Sequence, residues 1–355
     1  MKYVTEIQSL RGLCALGVLL NHNFGPGFGL TSDGSSRERL FFEFFLHILA
    51  PGASMVLVFF VISGFVLSPT LTAISKLPNF FIRRIFRIMP ALWASLVLAI
   101  FVFNYLGREI KPEYYKAFYL MDISLNQPIW SLQFEMLAYL YFPLQLFLSR
   151  KVGNIGSLVI IIFLIYLNIS ANFYSFYGLL IYPTALLCFQ LGIEVPRFGK
   201  RLVTSMHSDN ILFFIGLTCI LLPLPVYNLV LAYNLGICNS IIAIGAFILI
   251  SVISYGEFHL KKIFLFAPIV FLGTISYSFY LFHLPILEFV YINLPYSWIA
   301  WSNTHGPFGN SLFYVGIMRI FLTLIILIPM SWVSYRYVEL PMIRVGNKLA
   351  KLLKI

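Results

Sequence analysis

The sequence predicts an all-α fold: a polytopic integral membrane helix bundle of about ten transmembrane helices with both termini cytoplasmic. Three observations carry this. Hydrophobic residues make up 60% of the 355 positions and charged residues 10%, with a mean hydropathy of +0.90, well outside the soluble globular range. Apolar windows of roughly 20 residues, enough to cross a bilayer as helix, recur along the chain. The basic residues punctuate these windows, which also argues against nucleic-acid binding as the meaning of the +11 net charge.

In chain order the candidate spans cover residues 8–28, 44–68, 89–106, 131–149, 155–171, 176–194, 210–224, 228–254, 266–292 and 311–335. Pro223 and Pro225 mark the end of the short seventh span. With a cytoplasmic N-terminus, inside segments hold eighteen of the 24 basic residues, outside loops hold five, and Arg319 stays within the last span. The reverse orientation inverts that ratio, so the positive-inside bias decides it. The longest polar joints, near 25–43, 107–130 and 293–310, then lie outside. No internal repeat and no long polar segment appears, so residues 1–355 read as a single transmembrane domain. Residues 340–355 form a basic amphipathic tail on the inner surface, with Arg344, Lys348, Lys351 and Lys354. Cys14, Cys188, Cys219 and Cys238 sit in apolar runs without metal or redox spacing and read as core filler. Lys2 before an apolar run resembles a signal peptide, but no A-x-A site follows and Glu6 and Arg11 interrupt it, so cleavage is not expected.

The first span, IQSLRGLCALGVLLNHNFG, carries two residues that are costly in a bilayer, Arg11 and His22. At about 100° per residue they face the same way, roughly 16 Å apart along the axis. After the second span, NFFIRRIFRIMPALW brings Arg83, Arg84 and Arg87 within about one and a half turns. As an interfacial helix these arginines snorkel to headgroups; as a clamp, their planar forks bind phosphate bidentately, together with Arg11. In VFFVISGFVLS, Ser63 and Gly64 are small residues that permit close approach of a helix or a ligand. QPIWSLQFEMLAYLYFP opens the fourth span: Trp130 suits the interface, Ser131 suits an N-cap, and Glu135 lies about one turn inside, where a carboxylate needs a partner. By depth that partner is His22. GTISYSFYLFHLPILEF places His283 in the outer half of the ninth span, at the depth of His22 and Glu135, beside Pro285. Arg319 is a further cation without an assignable partner, and Glu339 in SYRYVELPM is expected to latch onto the 83–87 arginines.

Arg11 with His22, then FFVISGFVLS, FFIRRIFRIMPALW, WSLQFE, SYSFYLFHLP and YRYVELP, in that order, resemble the acyltransferase-3 family of membrane proteins across nearly the whole chain. The resemblance implies transfer of an acyl group, most often acetyl from acetyl-coenzyme A as co-substrate, to a hydroxyl of a cell-surface carbohydrate such as lipopolysaccharide O-antigen, capsule or exopolysaccharide. It implies functional roles for Arg11, His22, Arg83, Arg84, Arg87, Trp130, Ser131 and Glu135. Many members carry an extra C-terminal soluble domain, which is not expected here, so acceptor binding is expected to rest on the membrane domain.

Combined with the residue-level reading, this gives a mechanism in which Arg11, Arg83, Arg84 and Arg87 hold the coenzyme phosphates at the cytoplasmic face. His22, oriented by Glu135, then deprotonates an acceptor hydroxyl entering from outside, either for direct attack or after forming an acyl-His22 intermediate. Ser63, Trp130, Ser131, His283 and Glu339 are expected to bind substrate or support the site. The expected partners are membrane lipids, acyl-coenzyme A and a carbohydrate or lipid-linked glycan; no metal is expected, and the expected location is a bacterial inner (plasma) membrane. Two other readings stay open: a proton-coupled secondary transporter of a small anion or sugar, relaying protons through His22, Glu135 and His283, and a glycan flippase or structural partner.

Overall fold

The computed structural model describes residues 5–24, 48–69, 76–170, 182–223, 234–305 and 313–352. The outer joint 25–43, Lys2, Lys354 and the first residues of the spans expected at 44, 176 and 228 lie outside the described residues. Among the described residues the regular structure is helical throughout, with no strand. The helices are α1 Thr5–Phe24, α2 Gly52–Leu67, α3 Leu77–Tyr105, α4 Ile129–Ser170, α5 Tyr182–Glu194 and α6 Lys200–Met206. They continue as α7 Asp209–Leu221, α8 Leu235–Tyr255, α9 Ala267–Ile292, α10 Tyr296–His305, α11 Phe313–Ser334 and α12 Leu340–Leu352. Among the described residues, five helical stretches are long and apolar enough to cross a membrane: α3, α4, α8, α9 and the continuous run Tyr314–Leu352. Large apolar side chains such as Phe101, Ile155, Ile162 and Phe321 face outward, as expected of a surface solvated by lipid.

Three boundaries differ from the sequence reading, each for a physical reason. The arginine stretch 83–87 is not a separate interfacial helix. It occupies the first three turns of α3, which starts at Leu77 with Pro78 in its first turn and runs through Pro90. The fourth and fifth spans are two helices joined without a loop, together labelled α4 and broken at Gly153 with φ 70° and ψ −164°. Only glycine adopts that backbone conformation without strain, so a single residue replaces the expected joint at Arg150–Lys151. The tail continues α11 through a π-helical turn, Tyr335–Glu339, into α12. There Arg344, Lys348 and Lys351 are exposed and Gly346 lies against Phe86 of α3.

α1 holds the centre. With Glu6, Gln8, Arg11, Asn21, His22 and Asn23 it is more polar than its neighbours, and protein takes the place of lipid around it. It packs chiefly on α9 and then on α2. Gln8 donates to the Thr274 hydroxyl, Ser9 Oγ donates to the Phe264 carbonyl at 2.5 Å, and Asn21 Nδ2 donates to the Ala50 carbonyl at 2.9 Å. The α1–α9 seam is set by two glycines. A Cβ on Gly12 would lie 2.5 Å from the Gly273 nitrogen, and one on Gly273 would lie 2.0 Å from the Gln8 carbonyl oxygen. Small residues of this kind let membrane helices approach to backbone contact. From Gly12 and Gly273 the same step along each helix leads to His22 and His283, whose rings meet. α1 and α9 therefore run parallel and in step.

Candidate active site

A cavity opens between α1, α2, α3, α4 and α9. Its charged and polar wall is Arg11, Arg87, Ser63, Ser131, Glu135, Tyr139, Ser276, Tyr277 and Tyr280; Val56, Phe59, Phe60, Ile88 and Leu132 form the apolar remainder. Residues far apart in sequence converge because α1 and α9 run parallel while α2 runs antiparallel to α1, Gly52 against Asn21 and Gly17 against Met55. Gly64 turns its bare backbone to α5, where a Cβ would lie 2.3 Å from the Phe189 carbonyl oxygen. Its neighbour Ser63 faces the cavity. Of the roles expected of this small pair, the close helix contact is seen at Gly64.

The four arginines part company. Arg11 and Arg87 line the cavity. Arg83 is exposed. Arg84 lies over the Phe80 ring, 5.9 Å from its centroid, and approaches the Tyr139 hydroxyl. The expected fourfold clamp is therefore a cavity pair, with Arg84 turned toward the carboxylate side of the site and Arg83 outside.

Glu135 is held by two donors, Ser63 Oγ at 3.0 Å and the Tyr139 hydroxyl. Among the described residues no hydrogen bond or ion pair joins it to His22. The depth argument that paired them fails because helices at equal depth can present different faces. Glu135 turns toward α2 and its own next turn, where Tyr139 stands four residues on. His22 meets His283 instead, with ring centroids 5.1 Å apart and planes tilted by 45°.

His283 is 1% exposed. Its Nδ1 donates to the Tyr280 carbonyl at 2.5 Å, which fixes the proton on Nδ1 and leaves Nε2 an acceptor in the neutral ring. That Nε2 is buried and has no partner among the described residues. The Tyr280 ring packs on His283 at 5.7 Å, and its hydroxyl lies 2.8 Å from Ser131 Oγ. Tyr280 thus links the cavity wall to the histidine pair, neither member of which lines the cavity itself.

Ser131 is not the N-cap. α4 already begins at Ile129, and Ser131 Oγ donates back to the Pro128 carbonyl at 3.0 Å within the first turn. Trp130 packs on Phe134 with centroids 5.8 Å apart and does not line the cavity. Glu339 is 5% exposed and accepts from Ser278. Arg87 and Arg11 act on its charge, but among the described residues it forms no ion pair with the 83–87 arginines. The latch therefore goes chiefly to α9. Sequence reasoning missed Tyr139, Tyr277 and Tyr280, although Tyr139 follows Glu135 by four residues and Tyr280 precedes His283 by three, the spacings at which helical side chains meet. It also missed the partner of Arg319, which is Asn23.

The arrangement has a cationic pair, an apolar wall, a carboxylate–hydroxyl cluster and, beside the cavity, an imidazole whose buried Nε2 has no partner among the described residues. Such a set suits an anionic ligand with an apolar arm and a reacting hydroxyl. The family model described as an acyltransferase domain matches residues 4–336. The peptidoglycan O-acetyltransferase OatA of Listeria monocytogenes is 25% identical, over 97% of this chain and 56% of its own length. The O-acetyltransferase OatA of Staphylococcus aureus is 27% identical, over 98% of this chain and 58% of its own length. The chain thus spans less than two thirds of these relatives. No solved structure matches it.

Proposed function

Because the chain belongs to the acyltransferase family whose model covers residues 4–336, we propose that it is a membrane O-acetyltransferase acting on a hydroxyl of a cell-surface carbohydrate, with acetyl-coenzyme A as donor. The observation that carries this reading is the single cavity that joins Arg11 and Arg87 to Ser63, Glu135, Ser131 and Tyr280. The residues fit the donor: guanidinium groups suit its phosphates, and the apolar wall suits its pantetheine arm. Bound there, the donor supplies an activated acetyl thioester.

His22 takes the proton of the acceptor hydroxyl as that oxygen attacks the thioester carbonyl. The C–S bond breaks, and coenzyme A leaves as the thiol with the proton returned by His22; a positioned base contributes about 10² to 10⁴ in rate. His283 backs His22 from the far side of the ring contact. Ser63 and Tyr139 hold Glu135 in one rotamer at the cavity wall, and Ser131 and Tyr280 lie where the cavity approaches the histidines. Arg83, outside the cavity, remains available to headgroups. The transporter reading draws no support from Glu135, which contacts neither histidine among the described residues.

We further propose one transmembrane domain over residues 1–355, crossing a bacterial inner membrane ten times with both termini cytoplasmic. The parallel run of α1 and α9, the first and ninth expected spans, supports it. The donor then enters from inside and the acceptor from outside. The name of the Listeria relative makes peptidoglycan the first acceptor to test, beside lipopolysaccharide O-antigen, capsule and exopolysaccharide. The decisive experiment uses protein in vesicles with acetyl-coenzyme A and candidate glycans, reading coenzyme A release and the acetyl mass increment. Protein-dependent transfer that His22→Ala abolishes supports the reading; transfer at the wild-type rate by His22→Ala sinks it.

A further inference from the structure

We infer that Arg319 is a positioning residue for this reaction: by closing the C-terminal end of α1 through Asn23 it holds the His22 ring against His283. The inference rests on the reading of His22 as the reacting base.

Arg319 is 1% exposed, the largest fully buried side chain among the described residues, and it does not line the cavity. A cation so deep among apolar helices is expensive, and its surroundings must compensate it. Asn23, the residue after His22, is 0% exposed. Arg319 Nε donates to Asn23 Oδ1 at 2.5 Å, and Nη2 donates to the Asn23 backbone carbonyl. Asn23 Nδ2 in turn donates to the Gly316 carbonyl at 3.0 Å, one turn before Arg319 on α11. The Tyr291 ring of α9 lies 5.3 Å from the guanidinium carbon. One side chain thus ties the ends of α1 and α11 together beside α9.

The last carbonyls of any helix lack intrahelical donors and carry the negative end of its dipole. Arg319 meets both needs at once, as a charged C-cap supplied by another helix. Seen from α11 the cation is compensated; seen from α1 the helix end is prevented from fraying. That matters because His22 is on the same turn as the capped carbonyl. Unwinding or slipping by one residue would rotate its ring by about 100°, away from His283. The Phe24 ring also packs directly over Gly316, where a Cβ would lie 2.5 Å from it.

The test uses the full chain in lipid vesicles with Arg319→Gln, Arg319→Lys and Asn23→Ala, each assayed for kcat and for the KM of acetyl-coenzyme A. Misplacing a reacting group by about 1 Å costs on the order of 100-fold. Arg319→Gln is expected to lose kcat on that scale with the donor KM unchanged, because Arg11 and Arg87 lie toward the other end of α1. Arg319→Lys, which keeps the charge, is expected to recover part of the loss. A second readout needs no turnover: bridging of His22→Cys to His283→Cys by a short thiol cross-linker, with Arg319 intact or replaced by Gln. The bridging yield is expected to fall several-fold with the replacement. Unchanged kcat in a folded Arg319→Gln protein, or an unchanged cross-link, overturns the proposal. If Arg319→Gln does not fold, Asn23→Ala is judged by the same two criteria. Failure of His22 as the base would appear as wild-type turnover in His22→Ala, while the cross-link would still judge Arg319.

Discussion

At the scale of single residues, the arginines separate into testable roles. Loss of a charge-assisted hydrogen bond costs about 1.5–3 kcal/mol, which is roughly 10- to 100-fold in affinity. Arg87→Ala is therefore expected to raise the acetyl-coenzyme A KM by that factor, whereas Arg83→Ala, at an exposed position, should leave it nearly unchanged; steady-state kinetics in vesicles check both. A double-mutant cycle tests the carboxylate. Glu135 and Tyr139 share a hydrogen bond and should couple by about 0.5–3 kcal/mol, while Glu135 and His22 should be additive within about 0.5 kcal/mol. Measurable coupling of Glu135 to His22 in kcat/KM would refute the geometry. The chemistry-bearing residue types were legible in the sequence because an ionisable group in an apolar span stands out. Their pairing was not, because depth along a helix says nothing about which face it turns. The partners that decide it are Ser63, Tyr139 and Tyr280, ordinary hydroxyl residues that no composition rule singles out.

At the scale of elements, two glycines offer opposite predictions from opposite causes. At Gly12 the backbone is ordinary helix but there is no space, since a Cβ would come 2.5 Å from the Gly273 nitrogen. Gly12→Ala is expected to destabilise by about 1–3 kcal/mol as overpacking and to separate His22 from His283. It should therefore lower both the thermal transition in detergent and the turnover. At Gly153 there is space, with nothing within 4 Å of a Cβ, but φ is +70°. Gly153→Ala is expected to cost about 1–3 kcal/mol of backbone strain while turnover in the folded fraction stays normal. The helical, membrane-spanning character was legible because hydrophobic windows report burial in lipid. The fold of α4 at Gly153 was not, since a one-residue kink and a short loop leave the same trace of Arg150 and Lys151. The start of α3 was not legible either, because three arginines near the membrane surface look alike whether or not the helix is continuous with the span.

At the scale of the whole molecule, charge bias predicts where the ends lie. Cysteines placed at Lys2 and Lys354 of cells carrying the protein should react with an impermeant thiol reagent only after the inner membrane is opened. Labelling of either one in intact spheroplasts would contradict the proposed orientation. The helical membrane fold class and the family were legible because they are written redundantly, in many apolar windows and six ordered motifs. The centrality of α1 was legible only as a paradox, a membrane helix too polar for lipid, until the parallel seam with α9 gave its polar groups partners.

That seam has a consequence for how the chain is made. Gln8 waits for Thr274, His22 for His283 and Asn23 for Arg319, partners separated by 266 residues in the first case and 296 in the last. At a synthesis rate of about 5–20 residues per second, the first helix to enter the bilayer spends tens of seconds without the groups that satisfy it. Nascent chains halted before Ala267 should therefore leave α1 dependent on the insertion machinery and exposed to membrane proteases, while chains extended past Arg319 release it. The seam of α1 with α9 and α11 therefore closes late, and no chain halted before His283 can carry the histidine pair.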